Sequence, residues 1–485
     1  MANEPPHRTN SDSGEEESSL RGSNFSAGSS SRRRSTYSTG DFIAGSIPRH
    51  LWYLVWPQTI DGFLAVAVQL SELVWVGRLG FQAVAAIGVA QVFLLAVMNV
   101  RSGIDSVTRA LIARSIGARI AGRPNHVLLQ SFSITLLFCV ILIIFGLLFT
   151  EYLLGFFGLS PRVTELASTY MKVQYFTLSI ASFQMLSAGA LQASGNSISP
   201  LRADVVGRII QITLAPVMIF GWFGTPELGI VGAPVAALFG RVLALILNLY
   251  ALNKGSFMMK LDLKAYRFDW NLIIDITSLA IPASVTVMQR GLSQIAFIAI
   301  VTPFGDAALA AFATIRRMET TANMFNMGLG RSAGAVGAQN LGAGQSSRTI
   351  SAFRWAILFG ILPSAFIALV FFIFSEQVSL FVASDPEFVD LASNWLSVLA
   401  LGYVSISVVL IFTHAFNTAG QTLTPMFITL STIWLFEIPL ALVLSNTSML
   451  GQFGVPWAIV IGNTLRLVVF TWYFFLGGWS RIGIR

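Results

Sequence analysis

The chain has 485 residues, of which 54% are hydrophobic and only 11% charged, with a mean hydropathy of +0.71; a soluble domain commits roughly a quarter of its residues to charge. This composition excludes a chain folded wholly in water. The net charge of +7 raises nucleic acid as a partner, but the placement of the positive residues argues for membrane topology instead.

Residues 1–48 are rich in Ser, Arg, Glu and Gly, with runs at Gly14–Glu17 and Arg32–Arg34. They read as a disordered cytoplasmic tail. No apolar h-region follows the start, so the tail is not a secretory signal. Contact of its Arg cluster with anionic lipid is the alternative to a solvated role.

Twelve apolar runs follow: Leu51–Gly77, Ala83 to just beyond Val100, Val127–Phe149, Tyr170–Leu191, Val205–Phe223, Leu228–Leu252, Leu272–Pro303, Ala307–Leu329, Phe353–Phe374, Phe388–Phe412, Met426–Leu444 and Val455–Leu476. Each supplies about 20 residues, enough to cross a hydrocarbon core of roughly 30 Å. The runs are continuous, not dyad-alternating, which predicts helices and not a barrel.

With the N-terminus inside, the inside loops carry Arg109, Arg114, Arg119, Arg123, Arg202, Lys254, Lys260, Lys264, Arg267, Arg331, Arg348, Arg481 and Arg485. The outside loops hold Arg78 and Arg162 against Glu151, Glu165, Glu227, Asp306, Asp385, Glu387 and Asp390. The positive-inside rule then places both termini in the cytoplasm of a multi-pass membrane protein, in the cell membrane or, in a eukaryote, an organelle membrane. The single cysteine, Cys139, implies no disulfide and packs among apolar residues.

The chain repeats itself. A shift of 225 residues superposes Pro57 on Pro282, Gly80 on Gly305, Ala85–Ala86 on Ala310–Ala311, Gly103 on Gly328, Gly117 on Gly342, and Ser194–Pro200 on Ala419–Pro425. A shift of 222 then superposes Gly229, Gly232, Pro234 and Gly240 on Gly451, Gly454, Pro456 and Gly462. The fold class expected is all-α and polytopic, with twelve transmembrane helices in two homologous six-helix lobes. The lobes span 49–253 and 271–478, joined by a cytoplasmic linker over 254–270 and followed by a tail over 479–485. Two halves of equal orientation imply an axis along the membrane normal and a cavity between them. The polar linker is long enough to let the lobes move and has room for a short amphipathic helix.

Only four His are present, too few for a metal cluster or triad, and no phosphate loop occurs. No catalytic residue, metal or cofactor is expected, nor an enzyme; an ion gradient, H⁺ or Na⁺, would supply the energy. The informative residues are ionisable groups inside apolar runs, which mark cavities or partners. Glu72 lies between Leu70 and Trp75, beyond Pro57, which can bend the first helix, as Pro282 can the seventh. A carboxylate there can bind and release a proton; reaching water or Arg78 is its plainer role. Arg101, Asp105 and Arg109 share one helix face and can pair along it. Arg208, Gln211, Arg241, Arg290, Glu437 and Arg466 are further cavity or ion-pair candidates, with Arg290 able to face Glu437 or an anionic substrate.

The stretches Glu72–Gly80 (ELVWVGRLG), Ala85–Gly88 (AAIG), Ile112–Arg119 (IARSIGAR) and Gly337–Gly344 (GAQNLGAG) together resemble multidrug and toxic compound extrusion (MATE) transporters over about Pro48 to Trp479. The resemblance implies secondary active efflux of small organic, multidrug-type compounds in exchange for protons or sodium ions, by a monomer in the lipid bilayer with no nucleic-acid partner. Among its branches the DinF-like one is closest: its acidic first-helix residue matches Glu72. Where that branch has Asn and Asp in the fifth helix this chain has Gln211 and Ala215, and its sixth-helix hydroxyl is Ala237. The ion-coupling set is thereby reduced to Glu72 and Gln211, which suits a proton better than sodium. The NorM-like branch's seventh-helix Glu is replaced by Gln289–Arg290. The expected cycle has an external proton binding Glu72, the first helix bending near Pro57, substrate leaving, and the lobes rocking. Lipid-linked oligosaccharide flipping is the alternative within the same superfamily, and a non-transporting membrane protein the alternative outside it.

Overall fold

The computed structural model describes residues 41–155, 160–255, 259–383, 385–446, 450–477 and 479; residues 1–40 of the expected tail and 480–485 at the C-terminus lie outside these. The helices are α1 (Ile47–Gly77), α2 (Phe81–Gly117), α3 (Arg123–Gly155), α4 (Pro161–Ala193), α5 (Ile198–Phe220), α6 (Gly232–Lys254), α7 (Trp270–Val301), α8 (Asp306–Ala322), α9 (Met324–Gly342), α10 (Ser346–Ile373), α11 (Ser375–Val382), α12 (Pro386–Thr418), α13 (Leu423–Leu430), α14 (Ile438–Asn446) and α15 (Gly454–Phe475). α8 and α9 form one span interrupted at Asn323, a π-helical stretch over Ser431–Glu437 joins α13 to α14, and α11 is a short turn between spans. Twelve spans result.

Ten of these segments are long and apolar enough to cross a membrane by length and composition alone. α4 and the α8–α9 pair are the other two. α4 is less apolar because it carries an interior polar row, and its hydroxyls bond back along the helix, as Ser179 does to Tyr175 O (2.8 Å) and Ser182 to Leu178 O (2.7 Å). Polar side chains satisfied in this way can sit inside a bundle at membrane depth.

The repeat is visible in the helix ends. Adding 225 to the bounds of α2 and α4 gives 306–342 and 386–418, the bounds of α8–α9 and of α12; adding 222 to the start of α6 gives 454, the start of α15. The repeated glycines at the turns sit where the backbone needs positive φ: Gly80 and Gly305 at 109° and 98°, Gly195 and Gly420 at 86° and 81°. A side chain would be strained there, so the turns between spans keep glycine in both halves.

Two of the four apolar cores mix the lobes and two do not. At the end where α2 and α9 finish, here termed the inner end, Leu51, Leu54 and Val55 of α1 pack into a core of C-lobe residues such as Val336, Phe353 and Phe416. In return Ile276, Ala280 and Ala283 of α7 pack among Ile112, Ile116 and Leu191 of the N-lobe. At the opposite, outer end one core draws on α1–α6 with the turn before α6 and the other on α7–α15. The lobes are thus interlocked at the inner end and separate at the outer end.

Glycine allows the interlock. A Cβ on Gly117 would lie 2.6 Å from the Gln339 carbonyl carbon, and one on Gly342 2.9 Å from that of Arg114. Gln339 is itself Arg114 shifted by 225, so this is a pseudo-twofold crossing of α2 and α9. Hydrogen bonds reinforce it: Gln339 Nε2 donates to Ala193 O (2.9 Å), Ser284 Oγ to Val100 O (2.6 Å), and Gln58 Nε2 to Ser332 Oγ (2.9 Å).

Three expectations are corrected. The tail does not extend to residue 48: Phe42 is 2% exposed, its N–H bonds Gln339 Oε1 (3.1 Å), and its carbonyl accepts from Asn340 Nδ2 (3.1 Å). A single aromatic filling a lobe-to-lobe crevice folds this stretch despite its polar neighbours. The linker holds no amphipathic helix among its described residues, only the 3₁₀ turn Leu263–Ala265. Nor is it loose, because α3 pins it: Asn125 exchanges two 3.0 Å bonds with Asp262, Gln130 Nε2 donates to Arg267 O (2.5 Å), and His126 Nε2 meets Asp269 Oδ2 at 3.1 Å. Arg109, Arg114 and Arg331 are not loop charges; they lie within α2 and α9.

Candidate functional site

Three polar clusters interrupt the apolar interior. Glu72 occupies the outer part of α1, where Tyr170 of α4 donates to its Oε1 (3.2 Å). Arg78, offered as its alternative partner, instead stacks over Trp75 at 4.8 Å. Gln211 makes no hydrogen bond to Glu72 among the described residues, and its Cβ packs near Gly240; the structure does not join the two expected ion-coupling side chains.

The second cluster joins α1, α2, α4, α5 and α6 of the N-lobe, some eleven residues or about 16 Å along α1 from Glu72. Asp61 of α1 pairs with Arg208 Nη2 of α5 (2.7 Å). Asp105 and Arg109, one turn apart on α2, pair at 2.8 Å, and Arg109 also donates to Gln192. Gln184 of α4 bridges two charges, donating to Asp204 Oδ1 and accepting from Arg241 Nη1 (3.3 Å). α5 and α6 touch at Gly207 and Gly240, where a Cβ on either would collide with the other's backbone; that close approach sets Asp204 and Arg208 beside Arg241.

Of the α2 triplet, Arg101 joins no ion pair among the described residues, and its Nε is buried without a hydrogen-bond partner among them. The repeat explains where the room comes from. Gly189 on α4 leaves space for Asp105 and Arg109 of α2, whereas in the C-lobe Gly330 on α9 leaves space for His414 on α12. Gly189 and His414 are 225 apart, as are Asp105 and Gly330, so each half fills the same crossing from the opposite helix.

The third cluster is in the C-lobe. Arg466 Nη2 pairs with Glu437 Oε2 at 2.5 Å, with both side chains at most 7% exposed, and Arg466 also donates to Thr432 Oγ1 and Asn463 Oδ1, each at 2.8 Å. Arg316 pairs with Glu319 at 2.5 Å. These groups and Arg290 line a cavity of about 80 Å³, room for several waters. The expected Arg290–Glu437 pair does not form: Arg466 takes Glu437, brought inward by the π-helical stretch and by Gly462, which leaves space for its side chain. Arg290 reaches Thr413 Oγ1 instead (3.4 Å).

Asp61, Asp204, Gln184, Tyr170, Arg316 and Glu319 were not singled out from sequence. The acids among them were findable by the same signal that exposed Glu72, a charge inside an apolar helix. Pro57 and Pro282 lie within continuous helices; near Pro57, Gln58 Nε2 and Thr59 Oγ1 cover the Leu54 and Val55 carbonyls (3.1 and 3.0 Å).

Two six-helix bundles repeated in tandem, sharing apolar cores at one end and keeping separate cores at the other, define a two-lobed membrane transporter fold. The MatE family profile matches residues 57–217 and again 282–443, one match per half, each beginning at the repeated proline. The chain belongs to this family of multidrug and toxic compound extrusion transporters. It is 26% identical over 413 residues to a probable multidrug resistance protein, YoeA, of Bacillus subtilis, covering 84% of this chain and 89% of that one. It is also 26% identical over 402 residues to an FAD transporter of Shewanella oneidensis, covering 82% and 88%. Among solved structures, a MOP superfamily transporter from Pyrococcus furiosus, described as having a binding pocket of reverse polarity, superposes with a TM-score of 0.84 at 22% identity over 92% of this chain and 99% of that one. The chain is accordingly an integral, multi-pass efflux transporter related to transporters and not to enzymes.

Proposed function

We propose that this protein exports small organic compounds in exchange for protons, with Glu72 as the proton-binding group and the cleft between two rocking lobes as the substrate path. The observation that carries the reading is the division of the cores: mixed at the inner end and separate at the outer end. A molecule so built has one closed and one open gate, the geometry alternating access requires. The concentration of Arg and Lys at the inner end makes that end cytoplasmic, which makes this conformation outward-facing. The lobes are taken to be residues 49–253 and 271–478, with the chain monomeric and both termini in the cytoplasm.

Glu72 then sits toward the outside with one phenol as its hydrogen-bond partner. Sodium favours several oxygen ligands, whereas a single carboxylate with a hydroxyl donor suits a proton. Protonation would turn the charge-assisted Tyr170 bond into a weaker neutral one and so loosen α1 against α4, and Pro57 supplies a turn with one backbone bond fewer about which α1 can bend.

The test uses proteoliposomes preloaded with ethidium or with FAD. A pH gradient should drive release of at least one probe, a sodium gradient at constant pH should not, and Glu72→Gln should abolish the pH-driven part. Unchanged pH-driven release in Glu72→Gln, or dependence on sodium alone, would sink the proton assignment.

A further inference from the structure

The charges of the second cluster, taken with Arg331 of the C-lobe, do not balance. Arg101, Arg109, Arg208 and Arg241 from the N-lobe and Arg331 from the C-lobe influence one another electrostatically, together with Asp61, Asp105 and Asp204. Five guanidiniums face three carboxylates, a surplus of two positive charges. Each acid is already engaged: Asp61 by Arg208, Asp105 by Arg109, and Asp204 by Gln184. What remains unpaired is positive. Arg101 and Arg331 have no hydrogen bond or ion pair among the described residues, and Arg241 has only the long bond to Gln184.

A guanidinium at membrane depth persists without a counter-ion only when it faces water or a ligand that supplies one. Arg101 on α2 and Arg331 on α9 come from different lobes, act on each other electrostatically and are only partly buried, a placement at the boundary between the lobes. His414, half-buried and near Arg331, Arg109 and Arg290, adds no negative charge. Repulsion between Arg101 and Arg331 opposes closure of the empty cleft, and an anion placed between them would reverse that term.

We propose that Arg101 and Arg331 form the two sides of an organic-anion site, so that the exported compounds carry a carboxylate, phosphate or sulfonate group. The planar, permanently charged forks of two arginines suit such oxyanions through paired N–H···O bonds. This deepens the exporter reading and rests on it: the site would be the substrate's, and the cross-lobe position of Arg331 would make affinity depend on which gate is closed.

The test is equilibrium binding to purified full-length protein in nanodiscs of neutral phosphatidylcholine, read by fluorescence with FMN, with riboflavin as the same ring without its phosphate, and with ethidium as a cation. FMN should bind at least tenfold more tightly than riboflavin or ethidium. Arg101→Gln and Arg331→Gln should each weaken FMN binding tenfold or more, with thermal midpoints unchanged or raised, because each removes an unpaired charge; a purely structural role would lower them. Arg331→Lys should recover part of the affinity. Ethidium binding more tightly than FMN, no FMN binding by the wild type, or FMN affinity retained in both Gln variants would overturn the site. Repeating the titration in discs containing phosphatidylglycerol separates sources: undiminished FMN affinity supports a soluble anion, and displacement of FMN assigns the same anionic chemistry to a lipid headgroup. Binding is read without a gradient, so an absence of pH-driven efflux would count against the exporter reading and leave this site standing.

Discussion

The crossing of α2 and α9 at Gly117 and Gly342 should act as the inner gate, and adding one methyl group there should open it. A Cβ on Gly117 would stand 2.6 Å from the Gln339 carbonyl carbon and closer still to its oxygen, where ordinary contact begins near 3.4 Å; the helices must part by more than the deficit of about 0.8 Å at the carbon, and backbone cannot swing aside as a side chain can. Overpacking of this kind costs about 1–3 kcal/mol. Charged to the inner-closed state alone, that shifts its ratio to the inner-open state by about 5- to 150-fold. The assay is electron-electron distance measurement between spin labels at Ile120→Cys and Ser347→Cys, two inner-end positions flanking the crossing, in a Cys139→Ala background that removes the only native, buried thiol. Gly117→Ala should populate a longer distance absent from the parent, and Gly342→Ala should do the same through its own clash with Arg114. An unchanged distance distribution in both variants would refute the gate.

Breaking the Glu437–Arg466 pair one side at a time should be far more damaging than its role in transport would suggest. Arg466→Met removes the ion-pair partner of a buried carboxylate, a loss of up to about 3–5 kcal/mol that Arg290 and Arg316 in the same cavity offset only in part, and should lower the thermal midpoint in detergent, whereas Glu437→Leu combined with Arg466→Met should recover much of the loss; equal loss in both would contradict the pairing. At the linker, the Asp269 carboxylate caps α7 by accepting from Leu272 N–H (3.1 Å) and meets His126, contacts that hold its pKa below the usual range. A depressed carboxylate pKa contributes stability above the ordinary value that is lost as pH falls through the lowered one. Asp269→Asn should therefore lower the melting temperature at pH 7, and the difference from the parent should shrink on acidification below about pH 4.

Much of the fold was legible because hydropathy and the repeat both act over long stretches. Each apolar run from Leu51–Gly77 to Val455–Leu476 lies on a span, and the glycines matched at 225 residues recur at the same turns and crossings. What escaped was three-dimensional pairing. The Asp105–Arg109 bond follows from spacing on one helix, but Arg466 displacing Arg290 as the partner of Glu437 depends on a π-helical stretch that no periodicity announces. Phe42 and the linker were misread for a related reason: polar composition suggested freedom, while one buried aromatic and a few side-chain-to-backbone bonds supplied order. Asp61 and Asp204 carry the same signal as Glu72, a charge on an apolar helix, but their partners Arg208 and Gln184 lie on other helices and could not be read from the sequence.

The central claim is that substrate movement through the cleft is paid in protons at Glu72. Proteoliposomes containing a luminal pH dye, with substrate added and no ion gradient imposed, test it most directly. The wild type should change luminal pH as substrate moves, and Glu72→Gln should still exchange substrate across the membrane with no pH change. Substrate movement by the wild type without any proton movement, or proton movement persisting in Glu72→Gln, would contradict the account.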